Sequence, residues 1–241
     1  MNYPTTKQAL ITGASSGIGK ATALAFAKAG INLALVSRES ENLAAVAAAA
    51  RAVGVKAEAY PLDLSKIEQV QSSISAIAAQ FGPIDILVNS AGMGYTGPLT
   101  ETPLADWQRV LDLNLTSVWQ CIQGILPGMR DRKSGIIINV SSIAGSQVFP
   151  NWGLYCVSKF GLMALSKAVA TEERARGIRV TAICPGSVNT PMWDTETVQA
   201  DFDRTAMLTP EIVAESILHA VQLPACAVIE EITLMSNAGV L

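Results

Sequence analysis

Histidine is nearly missing from this chain: His219 is the only one in 241 residues. A lone histidine excludes a metal site built on several, and its place on a helical stretch speaks against a triad built on imidazole. Cysteine is sparse as well. Cys121, Cys156, Cys184 and Cys226 are scattered, with no C-x-x-C pair and no metal-ligand spacing, so no metal is expected. Cys184 and Cys226 sit in or beside apolar runs and read as buried thiols of a reducing cytoplasm. Charge is modest, with a formal net value of -3. No basic stretch is long enough to hold nucleic acid or a membrane surface. The densest cluster, Arg130, Arg132 and Lys133, is interrupted by Asp131 and reads as a solvated helix end. Although 50% of the residues are hydrophobic, no apolar run reaches the ~18 residues of a membrane-spanning helix. Met1-Asn2-Tyr3-Pro4 lacks the charged-then-apolar pattern of an export signal, and a cytoplasmic location is expected.

What is present is alternation. Short apolar runs at 7–12, 31–37, 55–62, 84–89, 135–141, 178–184 and 227–234 read as strands. Helical stretches separate them, at 18–29, 40–53, 66–81, 102–129, 152–175 and 210–222, the fourth bent near Asn114. Glycines at 30, 54 and 177 stop three of the helices, and Thr209-Pro210 opens the last. Strands apolar on both faces, each followed by a helix, predict a parallel sheet covered on both sides. With right-handed crossovers this is a single-domain α/β fold, a Rossmann-type doubly wound sheet. No repeat, linker or composition break divides the chain. Such sheets bind ligands beyond the carboxyl ends of their strands.

The first such end carries Thr12-Gly13-Ala14-Ser15-Ser16-Gly17-Ile18-Gly19. The glycines allow a tight turn and close approach of a pyrophosphate, and the helix N-terminus supplies free N–H groups. Gly13, Ser15, Ser16, Gly17, Ile18 and Gly19 are therefore candidate dinucleotide contacts. The spacing is G-x-x-x-G-x-G, and no Gly-Lys-Ser/Thr of a P-loop follows. The second strand ends Val36-Ser37-Arg38, where an NAD-binding chain usually places an acid. Arg38 can grip a 2′-phosphate in bidentate fashion and Ser37 can donate to it, so NADP(H) is the expected cofactor. Glu39 is expected to turn into the following helix. Asp63-Leu64 and Asn89-Ser90-Ala91-Gly92 end the third and fourth strands and read as the adenine side of the cleft, with Gly92 permitting close approach.

Tyr155 and Lys159 stand four residues apart, on one face of a helix. A phenol titrates near ~10, and an ammonium beside it is expected to draw that value toward neutrality. Ser141-Ser142 ends the strand just before this helix. Taken with Thr12 to Gly19, Asn89 to Gly92, Asn114 and Pro185-Gly186, these residues resemble the short-chain dehydrogenase/reductase family over nearly the whole chain.

The resemblance implies roles. Tyr155 is the general acid or base, Ser142 holds the substrate oxygen, and Lys159 lowers the tyrosine pKa and binds the nicotinamide ribose. Asn114 anchors a water that relays protons to Lys159. Pro185, Gly186, Val188 and Thr190 meet the nicotinamide, with Thr190 on its carboxamide. A homotetramer is usual, and the helices around Asn114 and Tyr155 are the candidate interfaces.

In that family the substrate is chosen by the loop after Thr190 and by residues flanking the serine. Here these include Met192, Trp193, Gln147, Phe149, Trp152 and Tyr95, with Gly94 and Asn151 beside them. The set is apolar and aromatic, and it predicts a hydrophobic ketone or aldehyde. A lid is expected at about 187–209, solvated and mobile because it carries Asp194, Glu196, Asp201, Asp203 and Arg204. The chain also resembles 3-oxoacyl-(acyl-carrier-protein) reductases in layout. Arg130 and Arg176 stand where those enzymes meet their acidic carrier, although two charges favouring helix C-termini explain them equally well. The ending Glu230-Glu231-Ile232-Thr233-Leu234 is closer to broad-specificity carbonyl reductases. A sensor or scaffold without catalysis would show a broken Ser-Tyr-Lys set, and the set is intact.

Overall fold

The computed structural model describes residues 6–200 and 202–239. The N-terminal tetrapeptide and Asp201 of the lid lie outside them. Seven parallel strands form one sheet in the order β3-β2-β1-β4-β5-β6-β7. They are β1 (Gln8–Thr12), β2 (Asn32–Ser37), β3 (Ala57–Pro61), β4 (Ile86–Asn89), β5 (Gly135–Val140), β6 (Ile178–Pro185) and β7 (Glu231–Leu234). The doubly wound sheet is thus as expected. The chain order reverses between β1 and β4, which pair with Leu10 opposite Leu87. That reversal opens a crevice at the carboxyl ends of both strands.

Strands such as Ile86-Leu87-Val88-Asn89 are wholly buried because helices cover both faces. On one side α1 (Gly17–Lys28), α2 (Ser40–Ala52) and α7 (Pro210–Gln222) pack Phe26, Leu43 and Ile217 against Ile11, Leu33 and Ile183. On the other, α3 (Ile67–Phe81), α5 (Ser117–Arg132) and α6 (Gly153–Glu173) pack Ile74, Ile122 and Leu162 against Leu10, Leu87 and Ile137. Thr209 caps α7, its hydroxyl accepting from the Ile212 N–H at 3.4 Å.

The stretch read as one bent helix runs on without a break, and its irregularity falls at Asn114 as expected. Helix α4 (Leu104–Leu111) meets α5 through a π-helical turn, Asp112–Thr116. The extra residue of that wider turn turns Asn114 inward. Strand β7 begins later than its apolar run: the Ala227 carbonyl is taken by Arg179 at 2.8 Å, and pairing with β6 starts at Glu231. Cys184 is buried as expected, but Cys226 is exposed, because its loop runs over the surface before β7.

The basic cluster is not merely solvated. Arg130 donates Nε to Glu173 Oε2 at 2.9 Å, Arg176 donates to the same carboxylate at 2.9 Å, and Arg132 donates to the Ile84 carbonyl at 2.6 Å. Glu173 is 2% exposed, and the two guanidiniums hold its carboxyl below the usual range. A depressed acid stabilises the fold above its unfolded pKa and loses that contribution as pH falls through the folded value. Glu173→Gln is expected to cost about 1–2 kcal/mol near neutrality, discounted for the solvent around both arginines. Urea unfolding at neutral and acid pH tests this: the gap between wild type and variant must narrow on acidification.

Candidate active site

A cleft of about 960 Å³ runs along the carboxyl edge of the sheet. Its floor is the turn between β1 and α1. Gly13 has φ +66, and a Cβ there would lie 2.8 Å from the Ala91 nitrogen. A Cβ on Gly19 would lie 2.3 Å from the Gly13 carbonyl. Only hydrogen fits at either place, so the first turn of α1 stays close to the ends of β1 and β4. Thr12 secures this approach, its hydroxyl accepting from Ser90 N at 3.1 Å and Ala91 N at 3.2 Å. Ser15 and Ser37 share a hydrogen bond of 2.8 Å, joining the turn to the end of β2.

Gly13, Ser15, Ser16, Gly17, Ile18, Gly19, Ser37, Arg38, Asp63, Leu64, Ala91, Gly92, Pro185, Gly186, Val188 and Thr190 all line the cleft. Glu39 also borders it, but its carboxylate accepts from Asn42 at 3.0 Å. Arg38 has no carboxylate partner among the described residues. Asp63 accepts from the Ser65 hydroxyl at 2.8 Å and from its N–H at 3.0 Å, and these bonds hold its carboxyl below the usual range. The floor, the aligned N–H groups of α1 and one free guanidinium at the rim suit a dinucleotide carrying an additional phosphate.

Asn89 departs from the expected placement. Its side chain points into the sheet layer and donates to Asn139 at 2.9 Å, and Asn139 donates to Ser166 at 2.9 Å. Buried between strands and α6, it leaves the cleft wall to Ser90 and Ala91.

Ser142, Tyr155 and Lys159 come together in the middle of the cleft. Ser142 follows β5, its hydroxyl donating to the Pro185 carbonyl at 3.4 Å and accepting from Ala144 N at 3.1 Å. One helical turn separates Tyr155 from Lys159, whose Nζ lies 5.6 Å from the phenol ring centre. The ammonium donates to the Val140 carbonyl at 3.0 Å.

The electrostatics differ from the expectation. Burial pushes the Tyr155 phenol up to about 12, and its hydrogen bond with Ser142 pulls the other way without prevailing. Burial pushes the Lys159 ammonium down to about 8. Burial dominates both shifts, and the ammonium is turned to the Val140 carbonyl. The site as it stands holds a protonated phenol.

Asn114 is fully buried and does not line the cleft. Its Oδ1 accepts from Met93 N at 2.8 Å, while its Nδ2 donates to the Met93 carbonyl at 2.9 Å and to Ser158 at 3.1 Å. It clasps the loop after β4 to α6. A Cβ on Gly92 would lie 3.3 Å from Asn114 Oδ1 and 3.8 Å from Lys159 Nζ, so the clasp adjoins the ammonium.

Phe149, Trp152, Met192 and Trp193 line the far end, joined by Phe202. Tyr95 and Gln147 do not. Tyr95 is drawn to α4, donating to Asp106 at 3.2 Å, and Gln147 is exposed. Hydrogen bonds tie the segment 187–209 to its surroundings. Thr96 N donates to the Thr197 carbonyl at 2.9 Å, Thr197 Oγ1 to the Gly94 carbonyl at 2.8 Å, and Trp193 Nε1 to the Val188 carbonyl at 2.7 Å. Arg204 binds Asn189, Asp194 and the Thr190 carbonyl. Arg109 on α4 and Phe202 line the cleft without any motif to announce them. The Thr12 clasp was open to discovery, since its hydroxyl directly precedes the first glycine.

A nucleotide seat that leads to a serine, a phenol and an ammonium defines an oxidoreductase. The sequence profile of the short chain dehydrogenase family matches residues 7–201, and the chain belongs to that family. A 3-oxoacyl-(acyl-carrier-protein) reductase of Synechocystis sp. is 38% identical over 245 residues, covering 99% of this chain and 98% of the relative. A glycine betaine reductase of Emericella nidulans is 35% identical over 232 residues, which are 94% of this chain but 18% of that protein. Among solved structures, an alcohol dehydrogenase of Thermococcus sibiricus complexed with 5-hydroxy-NADP superposes with a TM-score of 0.88 at 29% identity, covering 96% of this chain and 97% of that one.

Proposed function

We propose that this enzyme reduces a carbonyl compound with an apolar body to its alcohol, using NADPH. The observation that carries the reading is the meeting of Ser142, Tyr155 and Lys159 in the middle of a cleft that has the glycine floor and the free Arg38 at one end. When bound, the reduced cofactor supplies the hydride. Tyr155 protonates the substrate oxygen, and its raised pKa suits the donor role at neutral pH. Ser142 directs a second hydroxyl at the same oxygen, where negative charge develops. Lys159 keeps a positive charge beside them below about 8. Asn114 holds the loop and helix that carry these groups in register.

Arg38 sets the cofactor choice. Arg38→Ala is expected to weaken NADPH binding by ~1.5–3 kcal/mol, the scale of a charged hydrogen bond, and to spare NADH. Titration of both cofactors into both proteins checks this, and equal losses would refute the assignment. The NADP analogue held by the Thermococcus enzyme supports the same choice.

The Synechocystis relative favours a second reading, reduction of 3-oxoacyl groups on acyl carrier protein. Arg130 and Arg176 both pair with Glu173, which offsets one of their two charges and gives them a role in the fold apart from any carrier. Turnover of acetoacetyl thioesters beside simple aryl ketones separates the two readings. The family's tetramer is kept as part of the proposal. It is supported by exposed Trp119 on α5 and by Val157 and Phe160 on α6. No described helix is long and apolar enough to cross a membrane.

A further inference from the structure

The wall beyond Tyr155 is a series of rings set on edge to one another. Trp152 stands 5.5 Å from Tyr155 at 70°, Trp193 stands 5.7 Å from Trp152 at 69°, and Phe202 stands 5.5 Å from Trp193 at 87°. In each such pair the edge of one ring meets the face of its neighbour, and the row gives this end of the cleft an aromatic lining whose remaining faces border the open space. Such faces carry partial negative charge and attract cations, most strongly those with a greasy, weakly hydrated surface.

The lid sets Asp194 and the exposed Glu196 along this lining; its own cation, Arg204, is taken up by Asp194, and Arg109 of α4 is the other cation on this part of the cleft among the described residues. Glu196 has no ion-pair partner among the described residues. An anionic substrate is repelled by Glu196.

We infer that this end of the cleft selects carbonyl compounds carrying a substituted ammonium group one or two carbons from the carbonyl, with Trp152 and Trp193 as the cage and Glu196 as the counter-charge. The inference rests on the reductase reading above. The spacing fits. The first wall, Trp152, packs directly against the proton donor, so a group on the carbon next to the carbonyl meets Trp152, and a group one carbon further meets Trp193.

The test compares two aldehydes of one shape, (trimethylammonio)acetaldehyde and 3,3-dimethylbutanal, which differ in charge, with 4-nitrobenzaldehyde as a general substrate. The cationic aldehyde is expected to have a kcat/KM about tenfold or more above its neutral twin, the scale of a partly desolvated cation–π contact. Glu196→Gln should shrink that ratio about two- to fivefold, as for an exposed charge pair. Trp193→Leu should abolish it. Equal or better use of the neutral aldehyde overturns the inference, as does reduction of 4-nitrobenzaldehyde with neither aliphatic twin accepted. If no carbonyl compound is reduced, the reductase reading fails. The cage is then judged by tryptophan fluorescence with tetramethylammonium chloride: quenching that Trp193→Leu loses supports it, and no quenching overturns it.

Discussion

Tyr155→Phe is expected to lower kcat by about 10²–10⁴-fold, the contribution of a positioned proton donor, and to leave NADPH affinity nearly unchanged. The substitution removes one hydroxyl and keeps the ring that packs against Trp152. Ser142 then remains as a donor that cannot surrender its proton as readily. Single-turnover rates with cofactor titrations separate chemistry from binding. Retention of more than about a tenth of the rate would remove Tyr155 from the acid role, since a positioned acid supplies at least ~10²-fold. The pH profile carries the same argument. With the phenol near about 12 and the ammonium near about 8, raising the pH strips Lys159 of its charge first. Carbonyl reduction should therefore be level below about 8 and decline above it. Alcohol oxidation needs the phenolate and should rise with pH. A reduction rate that climbs through that region would contradict the assignment.

Gly13→Val is expected to destabilise the protein by about 2–5 kcal/mol, adding the penalty for a left-handed backbone to that for an overpacked contact. Both causes are local. The backbone is at φ +66, and the new Cβ would lie 2.8 Å from the Ala91 nitrogen and 2.9 Å from its Cα, neither of which can swing aside. Gly30→Val separates the two: φ is +78 there, but nothing lies within 4 Å. If close approach matters, Gly13→Val must lie well below Gly30→Val in urea midpoint and must also lose NADPH binding. Equal midpoints would mean that the turn does not need contact with β4.

The strands and glycine turns were legible because their causes are local. Apolar runs, helix stops and the Thr12–Gly19 turn each state a backbone requirement within a few residues. Ser142, Tyr155 and Lys159 were legible as a set only through family resemblance, and the cleft brings them together. What escaped was relational. Asn89 reads as a cleft residue at its strand end, but strand parity turns its amide toward Asn139. Tyr95 and Gln147 lie near lining residues in sequence, yet Tyr95 packs toward Asp106 and Gln147 is exposed. The sign of the Tyr155 shift depends on how deeply two side chains are enclosed, which i, i+4 spacing does not state. Glu173 carries no motif, and only the fold places it between Arg130 and Arg176.

The π turn at Asp112–Thr116 bears on how the scaffold tolerates changes in length. Surface bends such as those at Gly30 and Gly54 have open space about them and can absorb an inserted codon. Between α4 and α5 one residue more or less would swing the Asn114 amide by about 100°, one residue's share of a helical turn. Met93 and Ser158 would lose their common tether together, so chimaeras should be spliced outside this segment.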